Sequence, residues 1–260
     1  MANTQNMTVG KPARLLFFFA LPLMFSNMFQ QLYTVVDTAI VGRGVGMDAL
    51  AALGTVDWLS WMVLGIAQGF TAGFSVRMSQ KFGEGDFPGL RRVIGLSARL
   101  TVFITLLTAV LSQVALPGFL YLLRVPAELS PMATLYVRIL FAGTPCMMFF
   151  NFTASTLRAV GNSKTPLFAM ITASVLNIAL DALTVFVFDW GIAGAAGATV
   201  CAQAVAGGIC AYRIVKTPHL RFHLSDMARD GAMAKSLMGL GAPLAIQNTI
   251  ISIGGMVVSA

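Results

Sequence analysis

The stretch that decides the fold is residues 15–41, which read LLFFFALPLMFSNMFQQLYTVVDTAIV. It exceeds the roughly 20 apolar residues that a helix needs to cross a bilayer. No charged residue interrupts it before Asp37, and its polar residues recur every three or four positions, which places them on one face of a helix. The pattern therefore predicts a membrane-spanning helix with one polar face.

Five further apolar runs follow, and a seventh begins near Leu237 and continues to Ala260. The chain is 57% hydrophobic and only 10% charged, whereas a soluble domain is about 25% charged, so lipid is the expected solvent. The alternating pattern of membrane barrel strands is absent. We predict an all-α membrane protein, a six-helix transmembrane bundle plus the start of a seventh helix. The six segments are Leu15–Val41, Leu50–Val76, Val93–Leu116, Met132–Phe152, Leu167–Phe188 and Ile192–Ile214.

The predicted organisation has four parts. Residues 1–14 form an N-terminal tail, 15–215 the bundle, 216–236 a connecting loop and 237–260 the start of a second bundle. Of the 17 Lys and Arg residues, three lie on one predicted side and the rest on the side of the tail and the loop. Because basic loops stay in the cytoplasm, the tail and the loop are predicted to be cytoplasmic. The net charge of +7 is therefore explained by basic residues that set the membrane topology, and no nucleic-acid partner is predicted.

An internal repeat links the first and seventh segments. Residues 20–27 (ALPLMFSN) can be laid over residues 241–248 (GAPLAIQN) at an offset of 221. A unit of six helices returns the chain to its starting side, so the repeat predicts two parallel bundles and about twelve helices. On this interpretation most of the second six-helix bundle is missing from this chain. The alternative is chance similarity between two apolar helices that both carry proline. The matched landmarks are Pro22 with Pro243 and Asn27 with Asn248.

Most of the ten acidic residues lie in loops or at helix ends, but Asp37 and Asp181 lie within predicted spans. An acidic group inside a membrane costs at least ~2.5 kcal/mol on insertion scales, so it is a candidate functional group. Each acid shares a polar stripe with residues spaced by three, four and three, which is one face of a helix. The stripes are Asn27, Gln30, Thr34 and Asp37 on the first segment, and Ser174, Asn177, Asp181 and Thr184 on the fifth.

Helix rise predicts that Tyr136 and Thr199 reach about the same depth as the two acids, roughly 8–12 Å below the outer edge of the membrane. Two carboxylates in a medium of low dielectric constant cannot easily both ionise, so one is expected to hold a proton. Alternatively, these carboxylates join amide and hydroxyl oxygens in a cage for Na⁺. A wet interface at Asp37 and a simple polar contact at Asp181 are the structural alternative. The candidate Na⁺ ligands are Asp37, Asn177, Asp181 and Thr199.

Four stretches make the chain resemble the multidrug and toxic compound extrusion (MATE) family, especially its DinF-like prokaryotic branch. They are QLYTVVD at 31–37, RAVGNSKTP at 158–166, NIALD at 177–181 and GIAGAAGAT at 191–199, and the similarity extends over essentially all 260 residues. The resemblance implies a twelve-helix exporter of cationic drugs and metabolites, driven by inward H⁺ or Na⁺. It also implies the inner (cytoplasmic) membrane of a prokaryote.

The resemblance also assigns roles to particular residues. It implies bending of the first helix at Pro22, since proline removes a backbone hydrogen bond, and a static kink is the alternative. An asparagine expected in the inner part of the fourth helix has no secure counterpart, because Ala154 occupies the nearest position and Asn151 lies three residues away. The coupling-ion site implied by the resemblance is Asp37 with Asn177 and Asp181, and the further cavity positions are Gln30, Tyr136 and Thr199.

These observations predict a cation-coupled antiporter that exports small organic cations by alternating access and needs no cofactor. A flippase for lipid-linked oligosaccharides is the alternative within the same superfamily, but it would need a cationic cavity. A membrane-embedded enzyme would need a base or a metal inside the spans, and both His219 and His223 lie outside them. A membrane scaffold would give the acidic stripes no purpose. The substrate, the choice between H⁺ and Na⁺ and the oligomeric state do not follow from the sequence.

Overall fold

The computed structural model describes residues 12–123, 125–227 and 230–259. No strand occurs in these ranges, and the predicted all-α fold is confirmed. A π-helical turn, Leu183–Val187, extends the sixth helix, and a 3₁₀ turn, Leu224–Met227, follows the seventh. The helices are α1 (Pro12–Gly44), α2 (Met47–Gly83), α3 (Phe87–Leu122), α4 (Ser130–Ala142), α5 (Thr144–Ala159), α6 (Lys164–Ala182), α7 (Gly191–Lys216) and α8 (Gly231–Ser259).

Six helices are each long and apolar enough to cross a membrane, namely α1, α2, α3, α6, α7 and α8. The pair α4 and α5 passes the same test only when taken together, and it is bent by 45°. If the bent pair counts as one span, the described chain has seven spans. This is the predicted six-helix bundle followed by a seventh helix.

The fourth predicted span, Met132–Phe152, is therefore not one straight helix. It is interrupted at Gly143, between α4 and α5. Pro145 has no backbone N–H, so the span loses a helical hydrogen bond at this point. Gly143 also allows α7 to approach closely, because a Cβ atom there would overlap the side chain of Val200. Both residues favour a break that hydropathy alone does not indicate.

The first and last helices begin at positions that differ from the predicted boundaries. Most of the predicted tail, residues 1–14, lies outside the described residues, and α1 begins at Pro12. It continues through Pro22 as one helix, and the Ser26 hydroxyl donates to the Pro22 carbonyl at 3.0 Å. The last helix begins at Gly231, inside the predicted loop 216–236.

A seam of glycines, Gly65, Gly69 and Gly73, joins α2 to α8. These residues recur every four positions on α2, and a Cβ atom at Gly69 would overlap the backbone of Ala245. The Asn248 side-chain amide donates to the Gly65 carbonyl at 2.9 Å. Small residues let membrane helices approach closely, where van der Waals contact and hydrogen bonds hold them together. The glycine seam thus fixes the seventh span against the second.

Candidate functional site

Asp37 of α1 and Asp181 of α6 meet inside the bundle. Their carboxyl groups lie within hydrogen-bonding reach of each other, and their side chains are buried, with Asp181 0% and Asp37 7% exposed. Within the described chain, no N–H or O–H group donates to either Asp181 oxygen or to Oδ1 of Asp37. Two bare carboxylates repel each other. The contact therefore needs a shared proton or a bound cation.

The packing of α6 against α1 positions the pair. The Ser174 hydroxyl donates to the Met170 carbonyl at 2.9 Å and lies 3.4 Å from the Phe29 carbonyl of α1. Asp181 lies in the last α-helical turn of α6, immediately before the π-helical turn Leu183–Val187. Such turns are rare and occur frequently at functional sites. The second acid thus sits where the helix geometry changes.

Asn177 and Thr199 extend the site from α6 to α7. The Asn177 amide nitrogen donates to the Thr199 hydroxyl at 3.4 Å. Asn177 is 1% exposed, and its amide oxygen has no donor among the described residues. Carboxylate, amide and hydroxyl oxygens suit a hard cation. The oxygens of the four side chains therefore fit either a proton on the acid pair or a Na⁺ ion.

A cavity of about 280 Å³ opens beside the pair. This volume is close to the lower end of the range of about 300–1,000 Å³ for small-molecule sites. Helices α1, α2, α4, α5, α6 and α7 contribute to its wall. Asn177 and Asp181 do not line it, so Asp37 connects the cavity to the buried acid. The predicted residues that line it are Gln30, Thr34, Asp37, Tyr136 and Thr199.

Two charged residues that were not predicted also line the cavity. Asp57 lies on α2, seven residues inside the predicted segment Leu50–Val76, and this position in an apolar run is a signal that could have identified it. Arg158 is the first residue of the RAVGNSKTP stretch that resembles the MATE family, and it lies in the last turn of α5. Its Nε donates to the Ala154 carbonyl at 3.2 Å. Asn27 of the predicted stripe on α1 also lines the cavity, and the further polar lining residues are Tyr33, Ser60, Gln68, Asn151 and Gln203.

The sequence profile of the MatE family matches residues 22–183, which is more than half of the chain. The chain belongs to the MatE family. The match runs from α1 to the end of α6 and includes both acids of the buried pair. The predicted family is therefore confirmed.

Known proteins of this family extend the comparison. "Probable multidrug resistance protein YpnP" of Bacillus subtilis (strain 168) is 30% identical over 257 residues, which are 96% of this chain and 56% of that protein. The chain thus spans a little more than half the length of this curated relative.

Two solved structures show the same fold. The outward-facing conformation of a multidrug resistance MATE family transporter of the MOP superfamily superposes with a TM-score of 0.89 at 25% identity, covering 97% of this chain and 56% of that one. An inward-facing conformation of a multidrug resistance MATE family transporter of the same superfamily gives 0.79 at 25% identity, covering 90% and 55%. Both neighbours are transporters rather than enzymes.

Proposed function

We propose that the full-length protein exports small organic cations across the cytoplasmic membrane in exchange for protons. The observation that carries the proposal is the buried contact between Asp37 and Asp181, next to a cavity that Asp37 also lines. The similar protein YpnP is named a probable multidrug resistance protein, and this name agrees with such a substrate class. The acidic residues of the cavity wall oppose a pyrophosphate-linked substrate, which would need cationic partners.

The exchange follows from competition for negative charge. A cation in the cavity lowers the affinity of the Asp37–Asp181 pair for its proton, because like charges repel across a medium of low dielectric constant. Conversely, a proton that reaches the pair from outside reduces the negative charge that retains the cation. Proton binding on the outside therefore releases the substrate outward, and proton loss to the cytoplasm prepares the cavity for the next cation.

The energetics of this exchange are sufficient. One proton exchanged for one monovalent cation moves no net charge, so the pH gradient supplies the driving force. A gradient of one pH unit corresponds to ~1.4 kcal/mol, enough to maintain a tenfold gradient of substrate. Alternating access between the outward-facing and inward-facing arrangements then exposes the Asp37–Asp181 pair to each side of the membrane in turn.

Sodium is a second candidate for the coupling ion. The amide oxygen of Asn177 has no donor among the described residues, and the amide nitrogen of Asn177 donates to the Thr199 hydroxyl. Together with the two carboxylates, the amide and hydroxyl oxygens supply the oxygen ligands that a hard cation needs. In this form of the proposal, Na⁺ replaces the shared proton and separates the two carboxyl groups.

Dye efflux tests the proposal. The full-length protein is reconstituted in vesicles, and ethidium transport is followed after a pH jump, with Asp37→Asn and Asp181→Asn compared with the wild type. Each variant is expected to lose at least about tenfold in pH-driven transport, the equivalent of ~1.4 kcal/mol of coupling. Asp48→Asn is the matched control, because Asp48 is exposed in the first turn of α2. Unchanged transport by both variants would show that the pair does not couple transport.

A further inference from the structure

The cavity contains a second carboxylate whose surroundings differ from those of the buried pair. Asp57 is exposed to the cavity on α2, whereas Asp37 and Asp181 are buried between α1 and α6. The residues of α2 that follow at spacings of four, three and four also line the cavity, so one face of α2 forms this wall. They are Trp61, Leu64 and Gln68.

Two aromatic residues, Trp61 and Tyr136, lie near the Asp57 carboxylate. The Trp61 side chain lies within hydrogen-bonding reach of this carboxylate. Trp61 is 44% exposed, so its ring is accessible to a ligand. The Tyr136 hydroxyl lies close enough to Asp57 and Asp37 to interact electrostatically with both. A negative charge close to an indole ring attracts organic cations, because the ring adds a cation–π interaction to the ionic attraction.

The charges in the cavity leave Asp57 available for a ligand. Within the described ranges, the ion pairs involve only Lys81 with Glu84 and Asp86, so Asp57 has no cationic partner there. Arg158, the basic residue of the wall, lies in the last turn of α5, while Asp57 lies ten residues into α2. Since both helices run in the same direction across the bundle, these residues lie towards opposite sides of it.

The buried pair provides independent support for a cationic ligand. Asp37 also lines the cavity, is 7% exposed, and has one carboxylate oxygen without a donor in the described chain. If the pair keeps one proton, it carries a single negative charge, and Asp57 adds a second. A cation bound at Asp57 would thus lie in a cavity where the pair can still lose or gain its proton.

We propose that Asp57 and Trp61 bind the cationic group of the substrate, separately from the Asp37–Asp181 pair that exchanges the proton. The ligand class is a monovalent organic cation with an apolar or aromatic body. This inference rests on the proposed export of organic cations. It assigns substrate binding and proton coupling to different helices. Asp57 on α2 determines substrate affinity, and the pair between α1 and α6 determines coupling.

Binding of tetraphenylphosphonium to the purified full-length protein tests the inference. Asp57→Asn is expected to raise the dissociation constant about tenfold or more, which corresponds to ~1.4 kcal/mol. Asp57→Glu keeps the charge and is expected to retain most of the affinity. Trp61→Leu is expected to weaken binding severalfold, while Trp61→Phe retains most of it. Asp48→Asn again serves as the control, and binding of the neutral analogue triphenylphosphine oxide is expected to be unaffected by Asp57→Asn.

Transport kinetics separate this inference from the coupling mechanism. Asp57→Asn is expected to raise KM for tetraphenylphosphonium in pH-driven transport and to keep at least about half of kcat, because the pair is intact. Affinity of Asp57→Asn and Trp61→Leu within twofold of the wild type would overturn the substrate site. Normal pH-driven transport by both Asp37→Asn and Asp181→Asn would instead overturn the proposed coupling, whatever the result at Asp57.

Discussion

Asp37 occupies the position on which the chemistry of the site depends. It lines the cavity and touches the fully buried Asp181, so a change of charge in the cavity reaches the buried acid without an intermediate residue. A buried carboxylate without a donor is unfavourable in a medium of low dielectric constant. The pair therefore tends to hold a proton or a cation, and this tendency is what an exporter can use for coupling.

Thr199→Val tests the choice between H⁺ and Na⁺. Valine has the shape of threonine but lacks the hydroxyl that accepts the hydrogen bond from Asn177 at 3.4 Å. We expect pH-driven efflux in Na⁺-free buffer to change by less than about tenfold, since one hydrogen bond contributes about 0.5–1.5 kcal/mol net. Vesicles with matched pH gradients and no sodium provide the measurement. Efflux that requires Na⁺ in the wild type and loses Na⁺ dependence in the variant would instead identify a sodium site.

The individual acids can be predicted from the sequence, but their contact cannot. Asp37 and Asp181 stand out because each interrupts an apolar run and shares a helical stripe with polar residues. Asp57 carries the first of these signals, because it lies between Val56 and Trp58 in an apolar run. The contact of Asp37 with Asp181 depends on how α1 packs against α6. The local sequence of either helix does not determine their relative position along the bundle. Arg158 precedes a turn and carries no local signal for its place in the cavity.

At the scale of the helices, close packing and local breaks determine where the cavity lies. The glycine seam holds α8 against α2, and Asp57 and Trp61, one to four turns before these glycines on the same helix, line the cavity. The break at Gly143 divides the fourth span into two helices. Tyr136 lies on α4 and Arg158 on α5, so the bend helps to set their relative positions. Hydropathy predicted the length of this span because lipid requires it, but it did not predict the bend at Gly143 and Pro145, because hydropathy does not report lost backbone hydrogen bonds or close helix contacts.

Gly69→Ala tests the glycine seam. The added methyl group would overlap the backbone of Ala245, and overpacking of this kind typically costs about 1–3 kcal/mol. We therefore expect a lower melting temperature for the detergent-solubilised full-length protein. Gly54→Ala is the matched control on the same helix, because nothing lies within 4 Å of its Cβ position. That control should be as stable as the wild type or more stable, since alanine favours the helix by up to about 1 kcal/mol. Equal melting temperatures for the two variants would contradict the close contact.

At the scale of the whole molecule, lipid makes the fold predictable. A spanning helix must satisfy all its backbone hydrogen bonds internally and present an apolar surface, so its length and hydropathy are visible in the sequence. Six predicted segments and the start of a seventh correspond to the spans of the described chain. The order in which the helices pack is not visible in this way, because most lipid-facing and helix-facing residues are equally apolar. The polar stripes are the exception: the stripe on α6 is buried, and the stripe on α1 lines the cavity.

Labelling of single cysteines tests the predicted orientation of the bundle. Glu84 lies in the turn between α2 and α3, and Glu128 lies between α3 and α4, so the two exposed residues belong to opposite sides. In a variant whose three native cysteines are replaced by alanine, Glu128→Cys is expected to react with a membrane-impermeant maleimide in intact cells. Glu84→Cys should react only after permeabilisation. The reverse pattern would place the basic loops outside and contradict the prediction.

Proton release on binding of an organic cation is the most direct test of the central claim. The full-length protein in weakly buffered detergent solution is titrated with tetraphenylphosphonium, while a pH-sensitive dye reports released protons. The account predicts close to one proton per bound cation for the wild type, and none for Asp37→Asn or Asp181→Asn at saturating ligand. Release of the same number of protons by both variants as by the wild type would contradict it.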